Sequence, residues 1–191
     1  MSRKQLSTVF ALISGLTALA SVAAIPSANA QQPEAKANFR DWSVFVREVD
    51  GEKICFAATE ATDKSPKSVN HGDVFFLIAS WKSGVAKEQP SLMTGYALNA
   101  KPEPTLRIGS DKWDMYVSEN EAFIEASAEE DRLIRAMRRG SDMRISAVSQ
   151  RGTATSYVSY LDGLKLPRGR AFAQVAIDPY LLDRIDVLKG P

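Results

Sequence analysis

Short runs of alternating or clustered apolar residues recur along most of this chain, and such runs are typical of β-strands. The most apolar run after residue 30 is residues 73–81, whose length and aromatic content predict a central strand buried on both faces. Asp50 and Gly51, between two such runs, predict a hairpin. The other predicted strands are residues 42–46, 54–58, 91–98, 105–108, 114–117, 121–125, 143–149 and 153–161. These many short strands predict a mainly β domain, an antiparallel β-sandwich or barrel-like fold.

One segment has the periodicity of an amphipathic α-helix. Ser127 and Glu130 fit the S-x-x-E capping box at its start, and Gly140 stands where a helix commonly ends. Acidic residues come first and basic residues last, which suits the helix dipole. Its apolar stripe comprises Leu133, Ile134 and Met137. We interpret Arg138 and Arg139 as a solvated helix end rather than as a clamp for a ligand.

The first thirty residues have the layout of a secretory signal peptide. Arg3 and Lys4 precede an uncharged, mostly apolar run over residues 9–25, and Ala28 and Ala30 supply the small-x-small cleavage pattern. An uncleaved membrane anchor is the alternative, but the run is short for a bilayer span of about 20 residues. We therefore predict cleavage near Ala30 and a periplasmic or secreted protein.

The remaining chain is predicted to hold one domain. Residues 31–38 are polar and predict a flexible start, residues 39–164 form the β-rich domain, and residues 165–191 form a separate tail. Two of the 24 basic residues lie in residues 1–30 and none of the 23 acidic ones does, which leaves a net charge of −1. A nearly neutral chain offers no field that attracts nucleic acid. No later stretch is apolar enough to span a membrane, and a monomer is expected.

The single histidine of the chain excludes many enzyme mechanisms. A zinc site normally needs several histidine or cysteine ligands, and the chain has one of each, His71 and Cys55. A Ser-His-Asp triad would have to use His71, which we predict to be an exposed residue of a loop over residues 59–72. No phosphate-binding, dinucleotide-binding or nucleophile-elbow motif occurs. We predict no catalytic residue, no cofactor and no metal; a hydrolase that uses paired carboxylates remains an alternative.

The sequence leaves two states open for Cys55. A single cysteine cannot form an internal disulfide, so it is either a buried small hydrophobe or an intermolecular partner. Its apolar neighbours favour the buried thiol. A redox or dimerisation role through Cys55 remains the alternative.

Seven segments of the chain carry a resemblance to a known family. They are residues 39–44, 51–55, 108–113, 122–125, 139–141, 151–155 and 159–164. Taken in order, they resemble the invasion-associated locus B family, small exported proteins of alphaproteobacteria. The resemblance covers about residues 39–164 and implies an exported β-rich domain without known catalytic residues. The family name comes from a role of some pathogenic members in host-cell invasion.

The chain departs from this family at two places. Many members have a cysteine near the position of Val46, and others pair the cysteine that matches Cys55 with one near the C-terminus; this chain has neither partner. The tail also differs. The relatives run from the final hairpin into a short closing helix, whereas Pro167 and Gly169 disfavour a continuous helix at this place in the chain. We interpret residues 165–191 as a replaced or frame-altered end that packs loosely.

These observations favour a non-enzymatic exported protein that binds or stabilises an envelope or host-facing partner. Exposed aromatic side chains are the expected anchors, because tryptophan and tyrosine are enriched at binding hot spots. The candidates are Trp81, Tyr116, Tyr157 and Tyr160. For most of these side chains, and for Trp81 and Trp42 in particular, we favour a place in the hydrophobic core over an exposed one.

Overall fold

The computed structural model describes residues 33–164, so the predicted signal peptide (1–30) and tail (165–191) lie outside the described residues. These described residues form twelve strands, one helix and a 3-10 turn at Asp162–Leu164. The strands are β1 Glu34–Phe39, β2 Trp42–Val49, β3 Glu52–Glu60, β4 Asp63–Ser65, β5 Val74–Trp81, β6 Gln89–Thr94, β7 Thr105–Ile108, β8 Asp111–Asp114, β9 Tyr116–Ser118, β10 Glu121–Phe123, β11 Asp142–Val148 and β12 Ala154–Tyr160. The helix α1 spans Ser127–Arg139.

The strands form two open antiparallel sheets, which confirms the predicted mainly β, sandwich-like fold. Seven strands make the first sheet in the order β1-β2-β3-β5-β6-β10-β9, and five make the second in the order β4-β12-β11-β7-β8. The β2–β3 hairpin is as predicted: Val49 pairs with Glu52, and both turn residues, Asp50 and Gly51, have positive φ (52° and 79°). Positive φ at both positions matches the strand twist, and aspartate and glycine tolerate it.

One hydrophobic core fills the space between the sheets and the helix. Strand β5 is central in the first sheet, and the side chains of its inner face, such as Phe76 and Ile78, are buried. Residues from the second sheet, including Leu106 and Ile145, belong to the same cluster. Leu133 and Met137 of α1 are completely buried in this core. The predicted apolar stripe of the helix is therefore confirmed.

The predicted capping box is wrong. The helix starts after Ala126, whose extended backbone is the N-cap, and no side chain makes a capping hydrogen bond. Gly140 follows the helix with an extended backbone (φ −69°), so it is not needed for a left-handed turn. A β-carbon at Gly140 would lie 2.5 Å from Ile108 Cγ2, so close packing requires the glycine.

Three further predictions need correction, and each concerns short or polar strands. Residues 34–38 do not form a flexible start, since they belong to β1 and pair with β2. The predicted loop over residues 59–72 contains the end of β3 and all of β4, which pairs with β12. The predicted strand over residues 114–117 is divided, because Asp114 ends β8 of the second sheet and Tyr116 begins β9, which pairs with β10 as predicted. Local sequence indicates such strands weakly, because they depend on partners distant in the chain.

No helix within residues 33–164 is long and apolar enough to cross a membrane.

Candidate functional site

The outer face of the seven-stranded sheet, which points away from the second sheet, carries an unusual set of large apolar side chains. Burial alternates along β5: inward residues are buried, while Phe75, Leu77, Ala79 and Trp81 on the outer face are only half-buried. The prediction that β5 is buried on both faces is therefore wrong for the described residues. The strand is nevertheless apolar on both sides.

A groove of about 530 Å³ runs across this face, and we call it the outer groove. It crosses β2, β3, β5, β6 and β10. Its lining residues are Pro33, Phe45, Arg47, Ile54, Phe56, Ala58, Phe75, Leu77, Ala79, Trp81, Gln89, Ser91, Met93, Glu121 and Phe123. Most of them are apolar.

The strand register explains why this face is concave. Phe56 of β3 pairs with Ala79 of β5, and Ala58 of β3 pairs with Leu77 of β5. Leu77 in turn pairs with Ser91 of β6. Small side chains thus stand beside large ones in the middle of the sheet, and cross-strand neighbours lie only about 5 Å apart. The small residues leave the depression, and the large ones form its walls.

Aromatic pairs border the outer groove on two sides. The rings of Phe45 and Phe56 stack with centroids 5.2 Å apart. On the opposite side, Phe123 stacks on Tyr116 with centroids 5.5 Å apart, which extends the apolar face to β9. Offset stacking of this kind adds a favourable contact between the two rings beyond the area that they bury.

Two charged residues stand at opposite sides of the outer groove. Arg47 lies on β2, and Glu121 lies on β10, four strand spacings away. Within residues 33–164, neither side chain forms an ion pair or a hydrogen bond. Each is therefore available to a charged group on whatever covers the groove.

The four aromatic residues predicted as anchors have different surroundings. Trp81 lines the outer groove, and Tyr116, which is 45% exposed, joins it through Phe123. Tyr160 is 51% exposed but lies on β12 in the second sheet. Tyr157 is buried, which corrects its assignment as a surface anchor.

Sequence reasoning missed most of the aromatic residues of this face. Four phenylalanines line the outer groove, although the sequence analysis treated them only as parts of predicted strands: Phe45, Phe56, Phe75 and Phe123. The sequence signal that could have revealed this face is that residues 73–81 are apolar on both sides of the strand, which we interpreted as burial on both sides. Trp42, in contrast, is completely buried, which confirms its predicted place in the hydrophobic core.

His71 is buried, which contradicts the prediction of an exposed loop histidine. Its Nε2 atom lies 2.9 Å from the carbonyl oxygen of Pro66, and its Nδ1 atom lies 3.1 Å from the Tyr157 hydroxyl. Because a carbonyl oxygen only accepts, Nε2 carries the hydrogen and donates it to Pro66. In the neutral ring, Nδ1 then accepts a hydrogen bond from Tyr157.

The hydrogen-bond chain continues beyond Tyr157 into the second sheet. The Tyr157 hydroxyl contacts that of Tyr96, which lies 2.8 Å from Thr155 Oγ1. Thr155 is in turn 3.2 Å from the carbonyl oxygen of Ala147. Burial raises the pKa of Tyr157 above its usual range, so its phenol remains protonated. This network satisfies polar groups in the interior and is separate from the outer groove.

Cys55 is a buried thiol on the inner face of β3. Burial raises its pKa to about 11, because the thiolate loses its hydration there. A protonated, inaccessible thiol is a poor nucleophile. The predicted buried state of Cys55 is confirmed.

A second groove, of about 460 Å³, lies against the five-stranded sheet and includes Ser65, Thr105 and Ser156. Its lining contains one carboxylate, Glu103, and the outer groove also contains one, Glu121. Within residues 33–164, no cluster of three or more histidine, cysteine or acidic side chains could hold a metal ion.

Comparisons with known proteins give no match: no family model, no curated protein and no solved structure is similar to this chain.

Proposed function

We propose that this chain is an exported, non-enzymatic protein of the cell envelope that binds an apolar segment of an envelope or host-facing partner in the outer groove. The observation that carries the proposal is the groove itself, an apolar concavity of about 530 Å³ on a sheet face that no described residue covers. Large uncovered apolar patches on soluble domains are commonly sites of interaction.

The composition of the outer groove supports a protein or peptide partner. Trp81 and the stacked rings of Phe45 and Phe56 offer large apolar surfaces, and tryptophan is among the residue types that dominate binding hot spots. Arg47 and Glu121 at its sides add polar groups that orient a partner. Charged residues at the rim contribute more to orientation and specificity than to affinity.

The sequence supports export. The signal-peptide pattern of residues 1–30 and the resemblance of residues 39–164 to the invasion-associated locus B family both favour a periplasmic or secreted β-rich protein. Binding or stabilising an envelope partner needs no catalytic residue. This agrees with a chain that holds one histidine and one cysteine.

The two alternative functions gain no support from the described residues. A hydrolase with paired carboxylates needs two acids in one cleft, and each of the two grooves is lined by a single one. A redox or dimerisation role needs an accessible thiolate, whereas Cys55 is buried and its pKa is raised to about 11.

Mild cross-linking and affinity capture from the organism's own envelope extract, with residues 31–191 as bait, test the proposal. Any captured protein is then purified, and its affinity is measured for the wild type, Ala79→Glu and Tyr160→Glu. Ala79→Glu places a charge in the middle of the outer groove, and we expect it to weaken binding by more than tenfold. Tyr160→Glu introduces the same charge on the other sheet and should leave binding unchanged. Equal affinities of the wild type and Ala79→Glu would contradict the proposal.

A further inference from the structure

The outer groove lies on a sheet face that has the composition of a buried surface. The outer side chains of β5, which include Phe75, Leu77 and Trp81, are as apolar as those on its inner face. Sheets with two apolar faces are normally covered on both sides by other elements. Within residues 33–164, only the inner face has such a cover. In a β-sandwich, the usual cover of a sheet is another sheet.

The middle of this face consists of two neighbouring rows of side chains that cross the strands. The strand register defines both rows, and we name each after its residue on β5. The Leu77 row contains Ser43, Ala58, Leu77 and Ser91, and the Ala79 row contains Phe45, Phe56, Ala79 and Gln89, which lie in that order on β2, β3, β5 and β6. Side chains of the two rows alternate with inward-facing ones along each strand, so all eight belong to the outer face.

The two rows have opposite patterns of side-chain size. On each of these strands, one row has the larger side chain and the other row has the smaller one. On β3 the large residue is Phe56, in the Ala79 row, whereas on β5 it is Leu77, in the other row. Such a surface fits closely against a second surface on which the large and small positions are exchanged.

A second copy of this chain presents that exchanged surface. Consider a two-fold axis that lies between two facing copies, perpendicular to their strands and midway between the rows. This axis places the Leu77 row of one copy opposite the Ala79 row of the other, and each strand faces its own counterpart. Phe56 of one copy then faces Ala58 of the other, and Leu77 faces Ala79, each contact occurring twice. Large side chains enter the depressions, as they do between the sheets of a sandwich.

The next row on each side of this centre also matches. Phase along β5 puts Phe75 beyond the Leu77 row and Trp81 beyond the Ala79 row. The two-fold axis therefore places Phe75 of one copy opposite Trp81 of the other. Two aromatic contacts thus close the interface at the two ends of β5, and aromatic side chains contribute strongly to interface energetics.

The charged residues of this face lie at its rim. Arg47 belongs to the same row as Trp81, and Glu60 belongs to the same row as Phe75. In the facing copies, Arg47 stands one strand aside from Glu60 of the other copy, an offset of about 4.8 Å that two long side chains can bridge. Glu60 is exposed and already accepts a hydrogen bond from Lys64, 2.8 Å away. Glu121 occupies a corner of the face, so the association buries no charge at its centre.

The size of the face suits a stable dimer. The outer groove crosses five strands, and β5 contributes four outer positions to it. Strands about 4.8 Å apart and rows about 6.8 Å apart give a footprint of roughly 650 Å² on each copy. The two copies together then bury about 1,300 Å², within the range of specific interfaces, about 1,200–2,000 Å². Because both sheets have the same twist, nearly aligned strands keep them evenly spaced over this area.

We propose that this chain forms a two-fold symmetric dimer in which the outer grooves of two copies face each other, the Leu77 row of each against the Ala79 row of the other. The dimer replaces the monomer that the sequence analysis expected. It does not rest on the proposed function, although both use the outer groove. Its regulatory consequence does rest on it: each copy covers the groove of the other until an envelope partner displaces it.

Analytical ultracentrifugation of residues 31–191 tests the dimer. The mass should rise from one chain to two as the protein concentration increases from about 1 μM to about 0.5 mM, because association follows mass action. A mass of one chain over the whole range would overturn the proposal. A mass that continues to rise beyond two chains would also overturn it, because the two-fold interface is closed.

An exchange of side chains on β5 tests the arrangement of the rows. Ala79→Leu places leucine against leucine twice in the dimer and should weaken association at least about tenfold. Leu77→Ala places alanine against alanine and should also weaken it. The double variant Leu77→Ala/Ala79→Leu exchanges the two sizes and should restore association to within about threefold of the wild type. A double variant as weak as either single variant would overturn the row-against-row arrangement.

Two controls accompany these variants. Tyr160→Glu changes the other sheet and should leave the dimer intact, and its loss of the dimer would overturn the proposed interface. Amide hydrogen exchange of β5 reports whether each variant is folded. If Ala79→Leu disturbs the sheet, Ser91→Leu provides the second test, because it fills the position opposite Gln89. Association that is unchanged in a folded variant of either kind would overturn the proposal.

Partner affinity separates this proposal from the proposed function. If the wild type is monomeric and Ala79→Glu loses the captured partner, the dimer is refuted and the proposed function stands. If the wild type dimerises and Ala79→Glu is monomeric but keeps the partner, the dimer stands and the proposed function fails. If both hold, Ala79→Glu loses the second copy and the partner, and added partner converts the wild-type dimer into complexes that contain one copy of the chain.

Discussion

The Nδ1 atom of His71 lies 3.1 Å from the hydroxyl oxygen of Tyr157, and this contact ties the segment before β5 to the second sheet. Both residues are buried, and the histidine ring meets the tyrosine ring edge-on with centroids 5.5 Å apart. Each polar atom of the pair has a partner, which keeps the cost of burial low. The only histidine of the chain therefore has a structural role.

Removing the Tyr157 hydroxyl should destabilise the fold. Tyr157→Phe leaves the Nδ1 atom of His71 and the Tyr96 hydroxyl with one partner fewer, and we expect the free energy of unfolding to fall by about 1–3 kcal/mol. Tyr160→Phe is the matched control, because that side chain is exposed, and it should change the free energy by less than about 0.5 kcal/mol. Urea denaturation measures both. Equal effects of the two substitutions would show that the network contributes nothing.

Cys55 should be unreactive in the folded protein. A thiol reagent at pH 8 should modify it only as fast as the protein unfolds, because the thiol is buried and protonated. Reaction in the native state, or a disulfide-linked dimer on a non-reducing gel, would contradict this expectation and revive the redox role.

The same thiol predicts a dependence of stability on pH. Its pKa is raised from 9.0 to about 11 in the folded state by burial, so the unfolded chain releases the proton first as the pH rises. Stability should therefore fall between about pH 9 and pH 11, and the wild type should lose more than Cys55→Ala over that range. Thermal unfolding of both proteins across the range tests this difference. Parallel curves would contradict it.

Ser127 should contribute little to the helix. A serine that caps a helix is worth about 1 kcal/mol, but no side chain caps α1. We therefore expect Ser127→Ala to change the free energy of unfolding by less than about 0.5 kcal/mol. A loss of 1 kcal/mol or more in chemical denaturation would restore the capping box that the sequence predicted.

Trp42 and Trp81 should differ in their effects on stability and binding. Trp42 is completely buried and donates a hydrogen bond from Nε1 to the carbonyl oxygen of Tyr160, 2.9 Å away, so Trp42→Ala should cost about 3–5 kcal/mol. Trp81 is half-buried in the outer groove, and Trp81→Ala should cost less than about 2 kcal/mol while it weakens partner binding. Denaturation and affinity measurements separate the two effects. A Trp81 variant as unstable as the Trp42 variant would place Trp81 in the core.

The sequence predicted the elements whose signals are local. Residues 105–108 are a strand with the predicted bounds, the hairpin at Asp50 and Gly51 forms, and the helix occupies residues 127–139. Each depends on an apolar period or on turn residues, which short windows of sequence contain. The polar strands β4 and β8 have no such pattern, and pairing with distant strands creates them.

By itself, the sequence determined a mainly β chain with an amphipathic helix at residues 127–139, and it favoured a buried Cys55 without deciding it. Only the tertiary structure decided which face of each strand is covered. Apolar residues on both sides of β5 are compatible with a core on both sides, and the packing of the two sheets leaves one side as the outer groove. His71 is buried for the same reason, since its partners at Pro66 and Tyr157 meet it only in the folded chain. Periodicity is a property of neighbouring residues, whereas burial depends on contacts between residues that are far apart in sequence.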